Sequence, residues 1–235
     1  MIPISDNIFF FTRRKPIIIY CLIGINIALF LWELKLELGG ELGNFVNNWG
    51  VVPAQISAAF ANALAGNSAA WIVVLMRSTS LLAGMFLHGS FSQILGNLIF
   101  LWVFGKTLEN ILGQRRFLIF YLASGILTAL VQILVEPSLT VPLIGANGAI
   151  TAILGAYVLK FPKAKIDTIL PLLIVFIPIE LSASFYLFWW FVQQISYGIG
   201  SLNIPGGVNQ GSIGYLAQFA GLFIGAAFIK LLQRY

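Results

Sequence analysis

Apolar runs of similar length recur along the chain, separated by shorter polar breaks. The first covers Pro16 to Leu34, and others cover 91–112, 117–135, 145–161, 181–197 and 213–232. Each is close to the roughly 20 residues that a helix needs to cross the hydrocarbon of a bilayer. Pro16 sits where proline is tolerated, at a helix start. Residues 35–89 break this rhythm: Glu37, Glu41, Asn44, Asn47, Asn48 and Gln55 are interleaved with two amphipathic segments, Ile56–Leu64 and Trp71–Met76. Trp49 and Trp71 suit headgroup depth, so this stretch reads as a long, partly interfacial loop. The run 169–199 is too long for one span and is broken by Pro171 and Pro178, which predicts a re-entrant or interfacial piece ahead of the fifth span. The Gly-rich stretch 198–214 reads as a flexible cap. The pattern thus predicts an all-α polytopic membrane protein, a bundle of six transmembrane helices with a long first outer loop.

Composition agrees with the pattern. The chain is 59% hydrophobic and 9% charged, against about 25% charge in soluble domains. A water-soluble enzyme and a nucleic-acid binder are excluded, because so few charges cannot cover a soluble surface. No small-residue cleavage signature follows the first run, so no cleavable signal peptide is expected.

The charges then orient the bundle. With a cytoplasmic N-terminus, eleven basic residues fall inside (Arg13, Arg14, Lys15, Lys106, Arg115, Arg116, Lys160, Lys163, Lys165, Lys230 and Arg234) and two, Lys35 and Arg77, fall outside. Lys and Arg favour cytoplasmic loops. The expected layout is a cytoplasmic segment 1–15, a membrane domain 16–232 and a cytoplasmic C-terminus 233–235.

Single residues bound the chemistry. Cys21 is the one cysteine, which excludes an intrachain disulfide; it reads as a small packing residue. His88 is the one histidine. A mechanism using two histidines of this chain is excluded, and no metal site or cofactor is expected. Polar side chains inside the apolar runs are the informative exceptions, since each costs free energy in hydrocarbon. The second run opens with His88-Gly89-Ser90-Phe91-Ser92-Gln93 and continues to Asn97, so Gln93 and Asn97 share a helix face. The fourth opens with Gly145-Ala146-Asn147-Gly148, and the sixth carries Gln218. Two small-residue stripes, Gly148/Ala152/Ala156 and Ala217/Gly221/Gly225, let helices approach closely. If they face each other, Asn147 and Gln218 lie near one seam. Glu180 reads as interfacial or hydrogen-bonded near the fifth span, and Glu109 with Arg115 or Arg116 as a solvated group at the inner surface.

The strings Phe86-Leu87-His88-Gly89, Leu95-Gly96-Asn97-Leu98, Val103-Phe104-Gly105, Leu108-Glu109 and Leu112-Gly113 resemble the rhomboid family of intramembrane serine proteases. Gly145-x-x-Gly148-Ala149-Ile150 and Ala217-x-x-x-Gly221-x-x-x-Gly225 do so too, and the order is kept over most of the chain. The resemblance implies a serine nucleophile at the position of Asn147 and a histidine base at that of Gln218. It also implies an oxyanion-holding histidine at Gln93, beside a retained Asn97 and the retained upstream His88.

These departures decide the expected chemistry. Peptide hydrolysis by this route needs an oxygen nucleophile and a base that takes its proton. The amide nitrogen of asparagine is a poor nucleophile, and glutamine has no group that titrates near neutral pH. Losing one core member of such a machine costs about 10⁴- to 10⁶-fold in rate. A rhomboid fold without ordinary proteolysis is therefore expected: a pseudoprotease embedded in the lipid bilayer, binding transmembrane helices of client proteins and no nucleic acid. A mutual amide hydrogen bond between Asn147 and Gln218 is one expected replacement for the serine–histidine contact. Gln93 and Asn97 keep amide donors for a polar pocket. His88 acting on Ser90 or Ser92 would be a relocated base, against a capping or packing role. The alternatives are a serine-type endopeptidase with altered or weak activity and, third, a transporter or channel, which would need coupled ionisable groups that these spans largely lack.

Overall fold

The computed structural model describes residues 1–10, 15–172, 175–201 and 215–232. It is mostly helical. In chain order the elements begin with strand β1 (Ile2–Asp6) and helices α1 (Ile17–Leu38), α2 (Leu42–Trp49), α3 (Pro53–Leu64), α4 (Ala70–Ser78) and α5 (Ser80–Ala83). Next come α6 (Phe91–Phe100), a π-helical turn (Leu101–Gly105) and α7 (Lys106–Leu112), which form one continuous rod, then α8 (Gln114–Val135) and α9 (Asn147–Lys160). Strands β2 (Lys165–Leu172) and β3 (Val175–Ser182) and helices α10 (Ala183–Ser201) and α11 (Tyr215–Leu232) complete the order. Three described helices are long and apolar enough to cross a bilayer: Ile17–Leu38, Phe91–Leu112 and Gln114–Val135. The other apolar helices of the bundle are shorter.

α9 is the axis of the bundle. Every residue from Ala149 to Tyr157 is buried, and α9 packs chiefly on α11 and α8. A helix apolar on all sides belongs in the centre. α1 lies at the periphery instead. Its buried positions, Ile19, Leu22, Asn26, Phe30 and Glu33, form one stripe at helical spacing, while Tyr20, Ile25, Leu31 and Trp32 point outward. Cys21 is exposed on that outward side, not packed in the core. Between α1 and α6, α3 and α4 present Phe60, Leu64, Trp71, Ile72, Leu75 and Met76 to the surroundings, and Phe60 meets Trp71 edge-on at 5.8 Å.

The all-α expectation needs correction. Strands β1, β2 and β3 form an antiparallel sheet in that order, occupying the stretch expected to be re-entrant. Lys165 to Thr168 alternate, with Ile166 and Thr168 buried and Lys165 and Asp167 exposed, which is the period of a half-buried strand. The prolines read as span breakers are compatible with this sheet. Pro178 lies on the edge strand β3, and Pro171 lies beyond the last β1 pairing, Ile2 with Ile169. Neither place needs the missing N–H on a central ladder. Glu180 is on β3, paired with Lys165 at 2.8 Å on the surface. Residues Ile2–Asp6 of the N-terminal segment are thus part of a sheet. Asp6 ties that sheet to the bundle, its Oδ2 accepting from Thr107 Oγ1 at 2.6 Å and Tyr157 Oη at 2.9 Å.

Glu109 also departs from its expected role. It is 1% exposed, and its two oxygens accept from the backbone N–H groups of Ile18 and Ile19 at 3.1 and 3.0 Å. A carboxylate at a helix N-terminus satisfies donors that have no partner within the helix and opposes the dipole. Glu109 therefore docks the start of α1 on α7. Within the expected cap 198–214, residues 202–214 lie outside the described residues, as do Arg13, Arg14 and the C-terminal residues 233–235.

Candidate functional site

The segment 88–97 is built from local capping chemistry. Ser90 is the N-cap of α6 and its Oγ accepts from Gln93 N–H at 3.2 Å. Gln93 reaches back, and its Oε1 accepts from Gly89 N–H at 2.8 Å. This is a capping box displaced by one residue. The other end of the same amide crosses to the next loop: Gln93 Nε2 donates to the Ile144 carbonyl at 3.1 Å. Gln93 therefore staples the start of α6 to the loop that leads into α9. Gly145, in that loop, has φ +112°, and a Cβ there would run into Gln93 Nε2, so both conformation and space demand glycine.

His88 lies beneath this staple and is 3% exposed. Its Nε2 is 3.2 Å from Asn97 Nδ2. With the amide donating, Nε2 accepts and the ring proton sits on Nδ1, which is buried without a hydrogen-bond partner among the described residues. Burial holds the ring below its ordinary value, at about 4, so it is neutral at pH 7. Its backbone N–H donates to both oxygens of Glu33, at 3.0 and 3.2 Å. No hydrogen bond joins the ring to Ser90 or Ser92. Those hydroxyls lie 3.1 Å from each other, and the ring is committed to Asn97. The ring thus contacts the Asn97 amide and not a serine hydroxyl.

Asn147 opens α9 and Gln218 lies on α11. The two small-residue stripes meet there. A Cβ on Gly221 would strike Thr151 Oγ1 and the Gly148 carbonyl, one on Gly225 the Ala152 carbonyl, and one on Gly148 the Thr128 hydroxyl. The expected hydrogen bond between the Asn147 and Gln218 amides is not formed. Neither side chain makes a hydrogen bond among the described residues, and both open onto two cavities. One, of about 110 Å³, lies between α8, the start of α9 and the 143–145 loop, with Thr128, Gln132 and Met85 in its wall. The other, of about 240 Å³, is lined by Ser92, Gln93, Asn97, Ile150 and Trp190. Asn147 and Gln218 stand at the boundary of both.

The Rhomboid domain family model matches residues 75–235, more than half of the chain and all of this site. The chain belongs to the rhomboid family. Among its relatives, "Rhomboid protein 1, mitochondrial" of Saccharomyces cerevisiae is 26% identical over 162 residues, 67% of this chain and 40% of that protein. "Presenilin-associated rhomboid-like protein, mitochondrial" of Homo sapiens is 33% identical over 91 residues, 38% of this chain and 24% of that protein. "Putative rhomboid protease YdcA" of Bacillus subtilis is 36% identical over 77 residues, 33% of this chain and 38% of that protein. The chain thus spans less than half the length of these relatives.

As a rhomboid site the arrangement is rich in amides and poor in reactive groups. Each terminal NH₂ carries two protons. Gln93 uses one on Ile144 and Asn97 one on His88, and each keeps another beside the second cavity. No side chain at the Asn147 or Gln218 positions can be deprotonated near pH 7.

Three residues around the site escaped the sequence reading. Glu33 lies at the end of the first apolar run, and a carboxylate late in such a run is itself a signal. Thr128 and Gln132 sit four apart on α8 and share a face. Thr128 Oγ1 donates to the Ser124 carbonyl. Gln132 Nε2 donates to Glu136 at 2.7 Å, while its buried Oε1 has no partner among the described residues.

Proposed function

We propose that this rhomboid is a pseudoprotease, a membrane-embedded binder of the transmembrane segments of client proteins. The observation that carries the reading is the state of Asn147 and Gln218: amides at the two positions where the family resemblance implies serine and histidine, unbonded to each other and open to cavities. A pair that served only to glue α9 to α11 would be expected to close on itself. Amides lining a cavity favour capture of an unwound peptide's carbonyl and N–H groups without cleavage. In the same reading six helices span the bilayer, α9, α10 and α11 supplementing the three long ones, and both termini face the cytoplasm, in keeping with the eleven-to-two distribution of basic residues.

The test compares purified wild-type protein with the Asn147→Ser/Gln218→His double variant on a rhomboid substrate bearing a transmembrane helix. Wild type is expected to crosslink the substrate without cutting it and to take no label from a fluorophosphonate probe. The double variant is expected to gain measurable cleavage. Cleavage by wild type that vanishes in Ser92→Ala or His88→Ala would overturn the reading in favour of a serine-type endopeptidase using other residues.

A further inference from the structure

At the end of the bundle opposite Asn147, Lys15, Leu112, Gly113, Gln114, Arg115 and Arg116 line an open hollow of about 570 Å³. We propose that this hollow holds the phosphate of an anionic phospholipid, with an acyl chain lying along α8. The inference is independent of whether the chain cuts or only binds its clients.

Three cations reach the hollow from two separate elements. Lys15 precedes α1, and Arg115 and Arg116 stand in the first turn of α8. The two elements are held together below it. Glu109 binds the first amides of α1, and Gly113, at φ +79°, makes the abrupt turn from α7 into α8. Arg116 Nη1 also donates to the Leu232 carbonyl at 3.2 Å, which fixes one wall by the end of α11. Among the described residues no carboxylate lines the hollow. Glu109, which docks α1 on α7, is buried and already engaged by Ile18 and Ile19. The opening N–H groups of α8 have no acceptor within the helix and add to the positive potential.

The surroundings choose a lipid over a free phosphate. α8 has 22 residues, about 33 Å at 1.5 Å per residue, so a helix crossing the hydrocarbon starts at headgroup depth. Arg115 and Ile119 are four apart on one face, and Ile119 is 59% exposed. A basic head site therefore continues into an apolar strip, the shape of an amphiphile. Basic pockets between membrane helices suit anionic headgroups for the same electrostatic reason.

The experiment is native mass spectrometry of the full chain in detergent, titrated with phosphatidylglycerol or with phosphatidylcholine of the same acyl chains. Phosphatidylglycerol is expected to be retained and phosphatidylcholine lost. Lys15→Gln/Arg115→Gln should weaken phosphatidylglycerol binding about tenfold or more. Lys160→Gln/Lys163→Gln, with the same loss of charge, should not. Equal retention of the two lipids, or equal loss in both variants, would overturn the proposal. Displacement of the lipid by an equal concentration of glycerol 3-phosphate would make the site one for a soluble phosphate and overturn the lipid assignment. A photoactivatable phosphatidylglycerol acting on wild-type protein avoids any folding defect in the variants. Labelling of the Arg115–Ile119 stretch supports the site, and labelling confined to other helices refutes it.

Discussion

Glu33 brings a carboxylate into the buried stripe of α1, and its partner among the described residues is the backbone N–H of His88, 55 residues away in sequence. The chain of contacts runs from Glu33 to His88 to Asn97, from the periphery of the bundle to the wall of the second cavity. Removing the acceptor orphans a buried N–H, at about 1–3 kcal/mol. Glu33→Ala is therefore expected to lower thermal stability in detergent, and Glu33→Gln, which keeps an acceptor oxygen, to lower it less. Equal losses would show that packing rather than the hydrogen bond matters. His88 makes a second prediction. Its folded value, about 4, is below the ordinary 6.5. Between those values the unfolded chain binds the proton and the folded one does not. Stability is thus level above pH 6.5 and falls as pH drops towards 4. The difference in melting temperature between wild type and His88→Asn, followed from pH 8 to 4, should vary only in that window. A difference that is flat across it would refute a buried neutral ring.

The α9–α11 pair is packed through glycines on both helices. Gly225→Ala pushes a methyl into the Ala152 backbone and is expected to cost about 1–3 kcal/mol. Gly24→Ala on α1 meets nothing within 4 Å and should be neutral or gain up to about 1 kcal/mol from helix propensity. Unfolding curves of the two variants check this; equal effects would mean that the helices do not approach as closely as the structure has them. The apolar runs placed the long helices α1, α6–α7 and α8 to within a few residues, because period and length are local properties. The sheet was hidden for the opposite reason. The Ile166/Thr168 alternation is only a few residues long, it follows a basic turn, and β1 lies more than 150 residues earlier. Pro171 and Pro178 also read more naturally as breaks in a span than as strand residues. Only the pairing partners reveal that neither proline sits on a central ladder.

Over the whole molecule the amide site and the sheet lie at opposite ends of α9, which at 14 residues separates them by about 20 Å. Asp6→Ala should orphan the Thr107 and Tyr157 hydroxyls and cost about 1–3 kcal/mol for each. It should leave substrate crosslinking at the amide site unchanged; lost crosslinking in a folded Asp6→Ala protein would show that the two ends are coupled. Membrane residence, the long apolar helices, the family motifs and the identities of Asn147, Gln218, Gln93, Asn97 and His88 could all be read from the chain, because each depends on composition, local period or short spacing. Whether Asn147 and Gln218 would bond to each other or stand open could not, nor could the burial of Glu109 and Glu33 or the role of Gln93 as a staple. Those outcomes depend on which backbone groups distant segments bring within hydrogen-bonding distance, and only the packed bundle decides that.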